Sequence, residues 1–131
     1  MTDTSLNRRQ LLAATAATGA ALTACQTSAA ENELPDLKGK SVLITGCSSG
    51  FGKMGAMLYA ERGAKVFATM RNLPRPEAEE LQAVRKDGVD LTLLELDVLS
   101  DESVNNAVAE AERLNGGALD IVINNAGIAG R

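Results

Sequence analysis

Histidine is absent from these 131 residues, and cysteine occurs only at positions 25 and 47. Zinc clusters built from Cys and His, and any catalytic triad that needs an imidazole, are therefore excluded by inventory. Two cysteines do not make a disulfide framework either. Aromatic residues are 2% of the chain, which removes stacking platforms for single-stranded nucleic acid and leaves an aliphatic core. The 13 basic and 17 acidic residues form no long block of one sign, so nothing points to a nucleic-acid partner. What the chain does have is 45% hydrophobic residues, enough at this length for one modest core and not for two full domains.

Residues 1–34 stand apart. Arg8 and Arg9 precede a mild Ala/Thr/Leu run at residues 11–24, too short and too weakly apolar to span a bilayer. A positive start, an apolar middle and small residues after it are the layout of an export signal. The arginine pair with Leu11 and Leu12 behind it resembles a twin-arginine signal. "LTAC" at residues 22–25 resembles the lipobox of bacterial lipoproteins, in which the cysteine is acylated. On that reading Cys25 is a lipid anchor and the protein is exported to the periplasm or cell envelope. The alternative is an Ala-rich leader on a cytoplasmic protein, with the arginine pair there by chance.

From Lys40 onward, apolar runs of strand length alternate with amphipathic stretches of helix length. "SVLIT" (41–45), "KVFATM" (65–70), "LTLLEL" (91–96) and "LDIVINN" (119–125) read as four strands. A first helix runs to about Arg62 and ends at Gly63, and a second is expected over 76–86, with Pro76 at its start and Arg85 and Lys86 in its last turn. In a third, capped by Ser100, the apolar residues Val104, Ala107, Val108 and Ala111 share one face. Strands that are near-continuous apolar runs are expected to be buried on both faces, and alternation with helices makes them parallel. The expectation is an α/β fold: half of a doubly wound parallel sheet, about four strands in the order 3-2-1-4.

Between the first strand and the first helix lies "TGCSSGFG", with Gly46, Gly50 and Gly52 at its bends. A strand end that turns into a helix N-terminus presents unpaired backbone N–H groups at the positive end of the helix dipole, a site for phosphate. A Cβ at such a corner would block close approach of a pyrophosphate. Ser48 and Ser49 add hydroxyl donors.

Together with "LDV" (96–98) and "NNAG" (124–127), this corner resembles the short-chain dehydrogenase/reductase family over residues 37–130. "VFATMRN" adds a narrower likeness to NADP-using members that act on retinoids and hydroxysteroids. The resemblance implies a partial Rossmann domain over residues 35–131, with Gly46, Gly50 and Gly52 lining the pyrophosphate turn and Ser48, Ser49 and Phe51 beside it. It also implies that Asp97 bonds the adenine with Val98 alongside, and that Asn125, Ala126 and Gly127 close the pocket near the ribose. Asp97 has a second reading, an acid that caps the following helix.

The end of the second strand bears on the cofactor. NAD-specific sheets carry a carboxylate roughly 20 residues past the glycines, on the ribose 2′-hydroxyl; here stand Thr69, Met70, Arg71 and Asn72. A guanidinium at Arg71 would pair with a 2′-phosphate instead, which favours NADP over NAD. The other reading of Arg71 is a solvated loop arginine.

The family's proton-transfer group is a Tyr-x-x-x-Lys with a separate serine. The only tyrosine here, Tyr59, is followed four residues on by Gly63, and Tyr59 reads as core. The resemblance therefore implies the cofactor-binding part of an oxidoreductase that acts on an alcohol or carbonyl, a homo-oligomer when complete, with the catalytic residues outside these 131. The alternatives are a non-catalytic nucleotide-binding module and an inactive remnant. Cys47, on the cradle beside a helix N-terminus, reads as a small filler although that position can depress a thiol's pKa. A half sheet should also leave the outer edge of the fourth strand unpaired.

Overall fold

The computed structural model describes residues 34–127, and the compact unit begins at Pro35. Arg8, Arg9 and Cys25 of the expected leader lie outside the described residues. Four strands, β1 (Ser41–Ile44), β2 (Lys65–Met70), β3 (Leu91–Glu95) and β4 (Ile121–Ile123), form one parallel sheet in the order β3-β2-β1-β4. Helices α1 (Gly50–Glu61), α2 (Ala78–Lys86) and α3 (Asp101–Asn115) make the connections. The fold is the incomplete Rossmann-like α/β sheet that the strand and helix alternation implies.

The two-residue period of the strands sorts their side chains into two layers. Val42 and Ile44 of β1 and Val66, Ala68 and Met70 of β2 pack with Ala56 and Ala60 of α1 and Leu81 of α2 on one face. Leu43 and Phe67 point the other way and meet Ala111 of α3, with Val108 and Leu114 beside it. Phe67 is fully buried, a placement that stabilises the fold by roughly 2–3 kcal/mol. Tyr59 is half-buried against the first cluster, as its core reading expects.

The expectation of strands buried on both faces holds only for the inner pair. Every residue of β1 is buried, whereas β3 is mostly half-buried and Val122 of β4 is 55% exposed. The reason lies in what covers the faces: helices pack on both faces of β1 and β2, while β3 and β4 are the outer strands among the described residues. A second correction concerns α2, which opens at Ala78 and not at Pro76. The amides of Ala78 and Glu79 reach back only three residues, to the carbonyls of Arg75 and Pro76, so the expected first turn is a tighter one.

A polar clamp sets the register of β4 on β1 at the sheet's N-terminal end. The Ser41 amide and hydroxyl both donate to Oδ2 of Asp120, at 2.8 and 2.9 Å, and the Asp120 amide returns a bond to the Ser41 hydroxyl. These donors, the backbone amide first, hold the Asp120 carboxyl below its ordinary range.

Candidate functional site

Because all four strands run the same way, their C-terminal ends share one edge, and the loops that leave them enclose a cavity of about 250 Å³. Gly46, Ser48 and Ser49 line it from the end of β1. Met70, Arg71 and Arg75 come from the end of β2, Leu96, Asp97, Val98 and Leu99 from β3, and Asn125, Ala126 and Gly127 from β4. A crevice at the carboxyl ends of parallel strands is where open α/β sheets bind their ligands.

The corner after β1 is held from both sides. The Cys47 amide donates to the Thr69 carbonyl at 2.8 Å, and the Thr69 hydroxyl donates to the Ile44 carbonyl at 2.9 Å, which ties the turn to β2. On the other side the Thr45 hydroxyl oxygen accepts from the amides of Asn125 and Ala126, both at 3.0 Å. The Asn125 side-chain amide donates to the carbonyls of Thr45 and Gly46. Asn125 therefore acts as a staple between β1 and β4 as well as a wall of the cavity.

The three glycines have different reasons to be glycine. Gly46 has φ +73°, and a Cβ there would lie 2.8 Å from the Ala126 Cα. At Gly52 a Cβ would run into the carbonyl oxygen of Gly46, so its absence lets α1 seat against the corner. Gly50 has open space around it and is set apart only by φ +58°.

The N-terminus of α1 has no counter-charge of its own. Ser49 at the N-cap makes no side-chain capping bond, and the first turn holds no acid. Orphan N–H groups at the positive end of this helix therefore lie next to the cavity wall formed by Ser48 and Ser49. A phosphate fits the chemistry of this donor set.

Nine of the twelve residues expected to bind cofactor line this cavity: Gly46, Ser48, Ser49, Arg71, Asp97, Val98, Asn125, Ala126 and Gly127. Gly50, Phe51 and Gly52 do not; they form the first turn of α1 behind its wall, with the Phe51 side chain turned to solvent at 86% exposure. Asp97 serves its loop as well: its Oδ1 accepts from the Leu99 amide at 3.0 Å. The cap of α3 falls to Ser100, whose hydroxyl oxygen accepts from the Ser103 amide. Cys47 is wholly buried, its thiol donating to the Ile44 carbonyl at 3.3 Å, and burial pushes that thiol up to about 11. Desolvation outweighs the backbone hydrogen bond with Thr69, which pulls the other way, consistent with a filler.

Sequence reasoning did not place Met70, Arg75, Leu96 or Leu99 at the site, and of these Arg75 is the charged one. It sits four positions past Arg71 in a loop without periodicity, and only the fold brings it to the cavity. The basic pair spaced Arg-x-x-x-Arg at the end of β2 was the available signal.

The profile of the short chain dehydrogenase family matches residues 40–131. Over 90 residues the chain is 41% identical to the short-chain dehydrogenase cctT of Talaromyces islandicus, covering 68% of this chain and 30% of that protein. It is 41% identical over 92 residues to retinol dehydrogenase 8 of Homo sapiens, covering 68% and 28%. Among solved structures, a hydroxysteroid dehydrogenase from Escherichia coli superposes with a TM-score of 0.65 at 29% identity, covering 72% of this chain and 39% of that one. The chain thus spans about a third of the length of the curated relatives it matches.

Proposed function

The chain belongs to the short-chain dehydrogenase family, and from that membership we propose that it is the dinucleotide-binding part of an oxidoreductase that interconverts an alcohol and a carbonyl using NADP(H). The observation that carries this reading is the corner after β1. There a Cβ on Gly46 would fill the cradle against Ala126, and the N-terminus of α1 has neither cap nor acid. Ser48, Ser49 and the first-turn amides of α1 would hold the diphosphate, and Asp97 and Val98 would take the adenine side. Asn125, Ala126 and Gly127 would close the ribose side. When bound, the nicotinamide supplies or accepts the hydride.

Arg71, at the end of β2 where no carboxylate stands, supports NADP over NAD. Calorimetric titration tests this. Arg71→Ala should weaken NADP by about 1.5–3 kcal/mol, the range for hydrogen bonds to a charged group, and leave NAD nearly unchanged. Equal losses for both dinucleotides would remove the assignment.

Relatives named for retinol and hydroxysteroids support a small organic alcohol or ketone as substrate. We also read residues 1–34 as an export leader with Cys25 as its acylated residue. A reporter fused behind residue 34 that stays in the cytoplasm would end that proposal.

A further inference from the structure

β3 is an outer strand of the sheet, and its far edge is open. The Val66 amide donates to the Asp90 carbonyl and the Leu96 amide donates to the Met70 carbonyl, so the even-numbered residues along this strand turn their backbone groups to β2. The odd-numbered ones turn theirs outward. The amides of Leu93 and Glu95 and the carbonyls of Leu91, Leu93 and Glu95 therefore meet no partner strand among the described residues. Open edges are commonly blunted by lysine, proline or a bulge. β3 reads LTLLE and keeps an unbroken register on β2, so it has none of these. Between this edge and α2 lies a groove of about 740 Å³, walled by Leu91 and Leu93 of the strand and by Gln82, Arg85 and Lys86 of the helix.

Charge is ordered along the groove. Arg85 and Lys86 are exposed in the last turn of α2, beside the start of β3. Glu95 is exposed at the strand's other end. By the two-residue period it shares a face with Leu91 and Leu93, which pack on the α2 side of the sheet. We propose that the β3 edge is the seat of a second copy of this chain, paired antiparallel about a two-fold axis at Leu93, so that two sheets become one. Leu93 then exchanges amide-to-carbonyl bonds with Leu93 of the other copy, and each Glu95 amide donates to the opposite Leu91 carbonyl. The Leu91 amide needs no partner, because it already donates to the Val89 carbonyl at 3.2 Å. The same rotation brings Glu95 of each copy to Arg85 and Lys86 of the other. A two-fold interface must be self-complementary, and a basic start and an acidic end on one edge answer each other when a second β3 runs the opposite way. An unrelated extended peptide would use the backbone edge and leave that charge order without a purpose. The groove shares no lining residue with the cavity, so this surface goes beyond the dinucleotide reading without depending on it.

Sedimentation of the full chain over a range of concentrations tests this, with urea unfolding as the check that each variant is folded. The wild type should be a dimer that dissociates on dilution. Glu95→Lys, or Arg85→Glu together with Lys86→Glu, should raise the dissociation constant about tenfold or more, because each reversal acts twice across the axis. All three reversals in one chain should bring it back to within about threefold of the wild type, a rescue that requires these groups to meet. The register has its own readout. In the proposed pairing Thr92 lies opposite Leu94 of the other copy, a close pair without hydrogen bonds that suits a disulfide. Thr92→Cys and Leu94→Cys chains, each also carrying Cys25→Ser, should form a covalent dimer when oxidised as a mixture and little when oxidised separately. Should a reversal prevent folding, the mixed-chain disulfide alone decides. A wild type that stays monomeric at every concentration overturns the proposal, whether its edge is bare or covered from within the chain. A dimer that the reversals leave unchanged, or that the mixed cysteine chains fail to lock, places the interface elsewhere and overturns it too.

Discussion

Two helices leave the same edge of the sheet and begin in opposite ways. After β3, α3 starts behind Ser100, whose hydroxyl oxygen accepts from the Ser103 amide at 3.2 Å, and Asp101 and Glu102 follow in its first turn. The Ser103 hydroxyl in turn accepts from the Asp97 amide at 2.9 Å, so the loop and the helix start satisfy each other. After β1, α1 starts behind a serine that caps nothing and runs through glycine, phenylalanine and glycine with no acid. Both termini carry the same dipole. One is neutralised by its own residues and the other leaves its N–H groups to something external. The difference is the one that the proposed diphosphate cradle asks of α1, because a helix start that serves only the fold gains stability from the cap that α1 forgoes.

The strongest way to break this contrast is Gly46→Ala. The added carbon would meet the Ala126 backbone at 2.8 Å in a conformation, φ +73°, that L side chains rarely adopt. We expect about 3 kcal/mol of lost stability in urea unfolding, together with loss of dinucleotide binding. Wild-type stability and affinity would mean that the corner does not depend on close approach.

Cys47 sharpens the contrast from inside the same turn. Its neutral thiol is favoured by burial, with a folded value of about 11 against an ordinary 9.0. The folded state therefore holds this proton more tightly than the unfolded chain. That contribution is fully present below pH 9.0 and is lost as pH rises through about 11. Over this window the wild type should lose on the order of 3 kcal/mol that Cys47→Ala does not lose in parallel unfolding curves. Identical slopes would mean that burial does not raise the thiol.

Ser100→Ala is the control on the capped side. It should cost about 1 kcal/mol of stability and leave nucleotide affinity unchanged, since the bond it removes lies within α3. A drop in affinity would mean that the Asp97 loop depends on that cap.

The capped side was also the more legible one. A serine ahead of an i, i+3, i+4, i+7 stripe is a local signal, and Ser100 and α3 fall where it places them. The glycine spacing likewise marks the α1 corner, because turns and close approaches are written in residue type. The loop between β2 and α2 follows neither rule. Asn72 takes a positive φ of 57°, Ala78 and Glu79 close a tight turn, and Arg75 reaches the cavity through a path that no periodicity encodes. The exposure of β4 escaped for a related reason: an apolar run shows what a strand can bury and says nothing of what covers its faces.

The smallest change converts one terminus into the other. Ser49 already has the extended backbone of an N-cap, φ −160° and ψ 174°. Ser49→Asp would place a carboxylate there, able to accept from the first-turn amides and to counter the dipole. By the capping logic of α3, unfolding should then require about 0.5–1 kcal/mol more. By the ligand reading, the same carboxylate occupies the donors that would hold phosphate and repels its charge, so dinucleotide affinity should fall about tenfold, and by less at high salt. Opposite signs in stability and binding follow only if the bare start of α1 is kept for an anion. A variant that gains stability and binds as well as the wild type would make the missing cap an accident of sequence and would move the diphosphate elsewhere in the cavity.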